Sequence, residues 1–447
     1  MNAVVDFPVR PEARPYLEAF GRDSLARAGR EPDWLTGYRK GSLARFAEFG
    51  FPSRRSEAWR YLDLRALEQR PMLPAGAQRG GISAQIRAQL AEMALGRPAY
   101  RLVLVDGRLA PALSALEGLP PGVWLGSMAA AITERPELVR AGFEALSLDA
   151  ARPFAALNTA FFADGFVLDI EPGVVVERPV EIIHLSSGAA QGGSLHTRGL
   201  IAAGERARAS VIESFAGAGH YWRNDVIELN LAAGAELTRV ALIEEAAEAW
   251  HFGEMLATLG AGASLSSFVM LLAGRTVRHE TTVRSEGEAS RCELNGAFLL
   301  SGRQEANILT TVEHAAAGGE TREVFKGVAT GRAHGAFQGR ITVRPGAQRV
   351  DAHQLSRNLV LGPHASIDTK PELEICADDV KCSHGAAVGD LDEAALFYLR
   401  ARGIPDEQAR RMLIEAFVRE AVELVGTPLM REHLLQRISR RLASSEE

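Results

Sequence analysis

Glycine recurs at nearly regular intervals through the longest part of this 447-residue chain, from about residue 165 to residue 389. Short runs of Val, Ile, Leu, Phe and Thr follow four of these glycines, at intervals of 30, 28 and 25 residues: Gly204, Gly234, Gly262 and Gly287. Shorter steps of 15 and 16 residues then separate Gly331, Gly346 and Gly362. Such near-periodicity is typical of stacked repeats, in which each unit buries its apolar face against its neighbour.

Parallel strands joined by tight glycine corners fit this pattern better than other repeats do. No amphipathic helix separates the strands, which disfavours a helical solenoid, and the regular four-strand signature of a propeller is missing. Glycine supplies the backbone freedom that corners need, while inward Val, Ile and Leu stack along the axis. Because the six-residue period of a left-handed β-helix is absent, the sequence predicts a right-handed parallel β-helix. The exposed end of such a stack is an unpaired edge that a partner or a cap must cover.

The amino-terminal part of the chain predicts a different structure. Residues 1–95 are rich in Arg, Ala, Leu and Glu, with apolar residues at helical spacing in three segments: 15–28, 33–48 and 83–95. Within them, the segment GFPSRRSEAWRY (50–61) combines a turn, a basic pair and two large aromatics, Trp59 and Tyr61. Aromatic residues at this spacing are typical of core anchors.

A small mixed module follows the helical segments. The chain predicts a strand entering an Asp106-Gly107 turn, then a short strand with a helix over 123–146, and one more helix over 154–162. We therefore predict a mainly β protein with terminal helices and three domains. They are an amino-terminal helical and small α/β domain, the parallel β-helix core, and a carboxy-terminal helical domain: 1–164, 165–389 and 390–447.

The carboxy-terminal segment predicts three helices. Asp390 with Glu393 resembles a capping box, a second helix opens at Pro405, and a third starts at Thr427-Pro428. The third helix has apolar residues at steps of four, Met430, Leu434, Ile438 and Leu442. The second helix has one apolar stripe, made of Ala409, Met412, Leu413, Ala416, Phe417, Ala421 and Leu424. The outer faces of these helices are basic. Two interpretations stay open here: a cap on the solenoid, or a docking surface for another subunit.

Composition and charge exclude several classes of protein. The net charge of −6 and the pI of about 6.1 give no global attraction to nucleic acid or to an anionic membrane. Residues 1–10 lack the pattern of a secretory signal or a transit peptide, and no run of about 18 apolar residues occurs, which predicts a cytoplasmic protein. The three cysteines, Cys292, Cys376 and Cys382, are too few and too unevenly spaced for a disulfide framework.

One stretch brings a thiol and an imidazole two residues apart, at Cys382 and His384. In an extended strand these two side chains point to the same face, where sulfur and nitrogen suit iron, zinc or an iron–sulfur cluster. Two ligands make only half of a site, because a metal needs three or four. The alternative interpretation is a buried Cys beside a surface His at a turn.

Several segments together resemble the SufB/SufD family of iron–sulfur cluster biogenesis. They are PSRRSEAWRY (52–61), FAALNTAFFADG (154–165), the glycine-punctuated core and DDVKCSHGAAVGDLDEAALFYLRARGI (378–404), so the resemblance covers nearly the whole chain. The last segment is the most specific. It looks like the SufD branch, since the equivalent SufB segment has Glu after the His. The resemblance implies a right-handed parallel β-helix with terminal helical domains.

The resemblance also implies partners. It implies a complex in which this chain pairs with SufB through the β-helix core, and in which each of the two binds one SufC ATPase through its carboxy-terminal helices. The chain would be a non-catalytic scaffold subunit. This agrees with the sequence, which lacks the pattern G-x-x-x-x-G-K-[ST] that cradles phosphates in ATPases.

Site residues follow from the same resemblance. It implies that His384 works with a SufB cysteine in building a nascent iron–sulfur cluster, so that the partner supplies the missing ligands and the cluster is shared and transient. Cys382 matches the family motif too, with a packing role as the alternative, whereas Cys376 departs from the family pattern and receives no role. Cys292 is predicted to lie in the core. Whether the complex holds a flavin is left open by the sequence.

Two further histidines precede the motif. His353 and His364 lie in the rungs just before it and could face the same surface, although a lone histidine in a strand is usually only hydrogen-bonded. Two rival functions also stay open. One is a β-helix enzyme acting on carbohydrate, although no compact carboxylate motif occurs in the sequence. The other is a structural adaptor that stabilises SufB without contacting iron.

Overall fold

The computed structural model describes residues 9–75, 82–147 and 152–444. The prediction that residues 1–10 carry no targeting signal falls largely on residues 1–8, which lie outside the described residues. In chain order the strands are β1 (Tyr100–Val105), β2 (Arg108–Leu109), β3 (Val123–Ser127), β4 (Asp164–Ile170), β5 (Val180–Ser186), β6 (Ser194–Ala203), β7 (Arg208–Gly217), β8 (Trp222–Leu231), β9 (Glu236–Glu244), β10 (Trp250–Leu259), β11 (Ser264–Ala273), β12 (Thr276–Ser285), β13 (Arg291–Leu300), β14 (Glu305–His314), β15 (Glu320–Thr330), β16 (His334–Val343), β17 (Asp351–Leu361), β18 (Ser366–Ile375) and β19 (Lys381–Gly389).

From β4 onward, successive strands alternate between two parallel sheets. The even sheet has the order β18-β16-β14-β12-β10-β8-β6-β4-β3, and the odd sheet has the order β19-β17-β15-β13-β11-β9-β7-β5-β1-β2. Each turn of the chain therefore adds one strand to each sheet, which makes a parallel β-solenoid of about 8 turns. The predicted fold class is confirmed, and right-handed winding is the hand expected for parallel crossovers.

The corner glycines explain the two spacings in the sequence. Those spaced by 25 to 30 residues all follow a strand of the even sheet and precede a strand of the odd sheet: Gly204, Gly234, Gly262 and Gly287. Their spacing is therefore one full turn. Gly331 and Gly362 lie at the opposite corner, with Gly346 between them, so the steps of 15 and 16 residues are half-turns.

Glycine is needed at these corners for two different reasons. Gly234 and Gly262 adopt left-handed backbone conformations, with φ of 66° and 63°, which a side chain disfavours. At Gly287 the reason is space, because a Cβ atom there would lie 1.9 Å from the backbone nitrogen of Ala261 on the neighbouring corner. The corners of successive turns thus stack backbone against backbone.

The described chain has ten α-helices. They are α1 (Arg14–Arg27), α2 (Asp33–Phe49), α3 (Arg65–Gln69), α4 (Ala84–Met93), α5 (Met128–Glu134), α6 (Pro136–Ser147), α7 (Pro153–Phe161), α8 (Glu393–Ala401), α9 (Asp406–Val422) and α10 (Pro428–Ser444). Most of them pack on the outer faces of the sheets, while α8 packs on α9. The three predicted amino-terminal helices correspond to α1, α2 and α4. The segment expected to hold one helix after β3 holds two, α5 and α6, because Pro136 starts a new helix after Arg135.

The amino-terminal helices pack on the even sheet through an aromatic cluster. Phe154 of α7 lies against Trp222 and Phe252 of the sheet, with ring centroids 5.5 and 4.9 Å away. Trp59 joins this cluster at 5.0 Å from Phe154 and is buried. Its predicted role as a core anchor is confirmed, whereas Tyr61 is only half-buried.

The odd sheet is covered by α4, α9 and α10. Val418 and Val422 of α9 and Leu434 of α10 are buried in the same cluster as Phe268 of β11. The predicted stripe on α10 is confirmed at three of its four positions, which are fully buried: Met430, Leu434 and Ile438.

Two local expectations for the carboxy-terminal helices are wrong. The predicted stripe of the second helix is buried at Ala409 and Ala421 but exposed at Met412, Ala416 and Leu424, because α9 turns Val418 and Val422 towards the sheet and ends before Leu424. The cap of α8 is Asp392 and not Asp390, since the Asp392 carboxylate accepts hydrogen bonds from the backbone N–H groups of Ala394 and Ala395.

The predicted turn at Asp106-Gly107 joins β1 and β2 as an antiparallel hairpin. Strand β1 pairs with β5, and β3 pairs with β4, so both sheets continue into the segment before residue 164. In the part of the chain that the structure describes, no helix is long and apolar enough to span a membrane.

Candidate functional site

The last turn of the solenoid differs from the turns beneath it. Strands β18 and β19 end the two sheets, and within the described residues no strand pairs with their outer edges. Residues of the preceding turns are largely buried, whereas every residue of β18 and β19 is exposed or half-buried. The solenoid therefore ends in two open strand edges, side by side.

Cys382 and His384 lie on this open turn and share one face of β19. Their Cα partners on β17 are Ala352 and Gln354, whose side chains point into the solenoid. Since side chains alternate along a strand, Cys382 and His384 point towards the same interior and stand where it opens to solvent. The predicted common face is thus present in the register of the strands.

The two side chains have different environments. Cys382 is half-buried against the interior cluster, and burial raises the pKa of its thiol. His384 is exposed, and no described residue forms a hydrogen bond with its ring. Among the described residues, no group of three or more His, Cys, Asp or Glu side chains is arranged to hold a metal ion. The pair at the open end therefore offers one thiol and one imidazole on a common face, without further ligands from the described residues.

The other two cysteines lie apart from this pair. Cys292 is buried inside the solenoid, where burial holds the pKa of its thiol well above the ordinary value. The prediction that Cys292 belongs to the core is confirmed. Cys376 is exposed in the corner after β18, with its backbone N–H bonded to Val343.

Neither of the two preceding histidines shares the face of His384. His353 lies on the outer face of β17, where its Nδ1 atom forms a hydrogen bond with the Ser383 hydroxyl and its Nε2 atom lies 2.9 Å from Asp351 Oδ1. His364 is exposed in the turn between β17 and β18. The expectation that both could face the same surface is wrong, because one lies on the opposite face of the sheet and the other lies outside the strands.

Sequence reasoning missed the side chains behind His384. Gln354 of β17 stands directly below His384, and Glu323 of β15 stands directly below Gln354. Both are buried, and the Gln354 amide donates a hydrogen bond to the Glu323 carboxylate. The alternation of side chains along β15 places Glu323 on the inward face, between Thr321 and Phe325. The sequence therefore indicates that Glu323 is buried, but only the strand register shows that it lies behind His384.

The amino-terminal region reaches this end of the molecule. Lys370 of β18 forms an ion pair with Glu57, which lies in the turn before Trp59. The Ala58 carbonyl accepts hydrogen bonds from Arg278 at 2.9 Å and from Gln338 at 3.3 Å. The segment that carries the PSRRSEAWRY motif thus fastens the helical domain along the even sheet as far as the last turn.

The carboxy-terminal helices offer a second surface. Phe397 and Tyr398 of α8 are 72% and 57% exposed, although both are large apolar side chains. Helices α9 and α10 are held on the odd sheet by buried apolar contacts, and the buried Lys326 of β15 also forms an ion pair with the exposed Glu420 of α9. Single exposed apolar side chains are ordinary, but adjacent ones form a patch of the kind that marks a surface for binding another protein.

These features define a β-solenoid protein whose open end carries a thiol and an imidazole on one face and whose helix α8 exposes two aromatic side chains. Comparison with known proteins identifies it further. A family model described as the SufBD core domain of SUF system FeS cluster assembly matches residues 185–417, and a model described as the SufBD protein N-terminal region matches residues 12–182. The chain belongs to the SufBD family of iron–sulfur cluster assembly proteins.

Three relatives show how far the likeness extends. The iron–sulfur cluster assembly protein SufD of Escherichia coli is 31% identical over 405 residues, which cover 90% of this chain and 91% of that protein. A SufBD family protein of Synechocystis is 28% identical, over 95% of this chain and 94% of its own. The chloroplastic protein ABCI7 of Arabidopsis thaliana is 28% identical, over 90% of this chain and 85% of its own.

Proposed function

We propose that this chain is a SufD-like scaffold subunit that pairs with a SufB-like chain through the open end of its solenoid. The observation that carries the proposal is the last turn, where two adjacent strand edges are unpaired. An exposed strand edge presents a row of N–H and C=O groups ready to pair with another chain. Membership of the SufBD family decides against the carbohydrate-active alternative.

Apolar side chains on the same turn support this pairing. Ile375 at the end of β18 and Val388 near the end of β19 are both exposed. Natural proteins protect exposed edges with charges, proline, helices or covering loops. Strand β18 carries several charges and Pro371, whereas β19 has no Asp, Glu, Lys, Arg or Pro after Lys381, so β19 is the edge that best fits an interface. A partner solenoid placed end to end would pair both edges and bury these two side chains.

A pairing test uses charge at the end of the solenoid. Ile375→Lys combined with Val388→Lys should prevent co-purification of the SufB-like partner, because burying two unpaired ammonium groups at an interface is strongly unfavourable. The control is Val175→Lys, which places the same charge on an exposed valine before β5. Undiminished pairing of the double variant would contradict the proposed interface.

Within that complex, His384 and Cys382 supply ligands to a nascent iron–sulfur cluster. Imidazole nitrogen and thiolate sulfur are ligands that such clusters accept, and the imidazole must be neutral to bind. The described residues provide two ligands at this place, so a thiolate of the partner completes the site. Iron and sulfide are here the material of assembly, and the cluster is shared and transient.

ATP hydrolysis belongs to a separate subunit in this proposal, and α8 to α10 form its docking surface. The support is the exposed pair Phe397 and Tyr398, together with the lack of a phosphate-binding loop in the sequence. Deleting the chain from Asp406 onward would uncover the odd sheet, since α9 and α10 are buried against it. Point substitutions on α8 are therefore the better probe.

The docking surface is tested by Phe397→Ala combined with Tyr398→Ala. This variant should lose the SufC-like ATPase and keep the SufB-like chain, because interfaces depend on a few large aromatic anchors. The control removes two exposed apolar side chains elsewhere, by Leu25→Ala with Phe49→Ala. Retention of the ATPase by the α8 variant would show that it docks elsewhere.

A further inference from the structure

Glu323 differs from the other buried glutamates of the solenoid in its electrostatic partners. Each of five others forms an ion pair with an arginine: Glu181 with Arg101, Glu213 with Arg239, Glu228 with Arg198, Glu245 with Arg223 and Glu254 with Arg152. Glu323 is equally buried, but among the described residues no Arg, Lys or His pairs with it. A buried carboxylate without a cation is strongly disfavoured.

One of the two carboxylate oxygens of Glu323 accepts both of the hydrogen bonds that this side chain receives. Its Oε2 atom accepts from the Thr310 hydroxyl at 3.1 Å and from the Gln354 amide. Its Oε1 atom and the Oε1 atom of Gln354 are both buried and have no hydrogen-bond partner among the described residues. Two neighbouring acceptors therefore lack a donor, which leaves both unsatisfied.

A single proton resolves both defects. We propose that Glu323 is a neutral carboxylic acid that pairs with the Gln354 side chain through two hydrogen bonds, and that its ionisation tunes cation binding at His384. In this pair the amide N–H donates to Oε2, while a proton on Oε1 donates to the amide oxygen of Gln354. The carboxyl group is then satisfied without a counterion.

The surroundings agree with a neutral acid. Burial raises the pKa of Glu323 to about 7, and hydrogen bonds from Gln354 and Thr310 oppose only part of that effect. The titratable group closest on β13 is the Cys292 thiol, whose own pKa is raised, and the even sheet presents Thr310 and Gly339. Gly339 leaves room for the pair, since a Cβ atom there would lie 2.0 Å from Gln354 Nε2.

The Glu323–Gln354 pair lies directly behind the proposed assembly site. Its proposed effect on cation binding at His384 therefore rests on the proposed function. Glu323, Gln354 and His384 are successive partners on β15, β17 and β19. Two strand spacings place the Cα atoms of Glu323 and His384 about 10 Å apart. A divalent cation held at His384 favours the ionised carboxylate, and by reciprocity the ionised carboxylate strengthens cation binding. Ionisation breaks only the O–H bond, the proton leaves to solvent, and no electron is transferred.

The acid–amide pair is tested on the full chain by infrared difference spectroscopy. At about pH 6 the wild type should show the carbonyl stretch of a buried carboxylic acid, and Glu323→Gln should remove that band. Glu293→Gln, on the exposed outer face of β13, is the matched control and should keep it. A spectrum in which Glu323→Gln changes no carboxylic acid band would overturn the neutral pair.

The coupling is tested with Co2+ alone on the assembled complex. At about pH 8 the wild type should bind Co2+ about tenfold more tightly than Glu323→Gln, and at about pH 6 the two should bind equally. If the ratio of the wild-type affinity for Co2+ to that of Glu323→Gln were the same at both pH values, the proposed effect of Glu323 on cation binding would be wrong. If the wild-type complex binds no Co2+, the proposed site and its tuning both fail, while the infrared band still decides on the acid–amide pair by itself.

Discussion

Strand register decides which side chains stand behind His384. One residue of slip between β17 and β19 would move His384 to the outer face and bring Ser383 inward. In the observed register His384 stands over Gln354 and Glu323, while Ser383 meets His353 outside. The environment of His384 therefore depends on side chains of the two preceding strands of the odd sheet as well as on the motif itself.

The titration of Glu323 predicts an unusual pH dependence of stability. Its folded-state pKa of about 7 lies above the ordinary value of 4.5, so the folded chain keeps a proton that the unfolded chain releases. Stability from this group is therefore full below about pH 4.5 and is lost as the pH rises through 7. The loss is on the order of 3 kcal/mol, because each pKa unit is worth about 1.4 kcal/mol.

Glu323→Gln should remove this dependence. The free energy of unfolding of the variant, relative to wild type, should rise by about 3 kcal/mol between about pH 5 and pH 8, since the amide cannot ionise. Denaturant titrations of both proteins at the two pH values measure this difference. A constant difference across that range would show that Glu323 is already ionised at pH 5.

At the scale of elements, the corners determine how closely the turns stack. Gly287 and Gly346 both lie between an even-sheet strand and an odd-sheet strand, but only Gly287 sits against the backbone of the neighbouring corner. At Gly346 no atom lies within 4 Å of the place where a Cβ would be, and its φ is not in the left-handed region. Two glycines that look alike in the sequence thus carry different constraints.

Alanine substitutions separate these two corners. Gly287→Ala should destabilise the chain by at least about 2 kcal/mol, because its Cβ would overlap the backbone at Ala261 and the corners would have to move apart. Gly346→Ala should change stability by less than about 0.5 kcal/mol. Thermal unfolding of the two variants against wild type measures both effects. Equal stability of the two variants would contradict the backbone stacking at Gly287.

At the scale of the whole molecule, the periodic parts were predictable from the sequence. Corner glycines and apolar runs predict the solenoid, and helical spacing predicts α1, α2, α4 and α7 close to their observed bounds. These features are local, because a corner or an amphipathic helix depends on residues near it in the chain. Strand alternation also predicts the common face of Cys382 and His384.

Long-range register was not predictable in the same way. The acid–amide pair of Glu323 and Gln354 joins residues 31 positions apart, and its environment depends on Thr310 and Gly339 of the opposite sheet. The exposure of Met412 on α9 likewise depends on how that helix meets the odd sheet. Such contacts depend on how distant segments pack against each other, and local patterns in a single sequence do not reveal that packing.

The proposed function depends on the open end of the solenoid being an assembly site shared with a partner. The most direct measurement is the iron and sulfide content of the complex purified from cells that carry His384→Ala. That variant should retain all subunits and lose most of the bound iron and sulfide, whereas His364→Ala, at an exposed turn histidine, should match wild type. Cys382→Ala should also lower the iron and sulfide content, whereas a normal content in that variant would leave the thiol with a packing role. An intact His384→Ala complex with normal iron and sulfide would contradict the account and leave the chain as a structural adaptor.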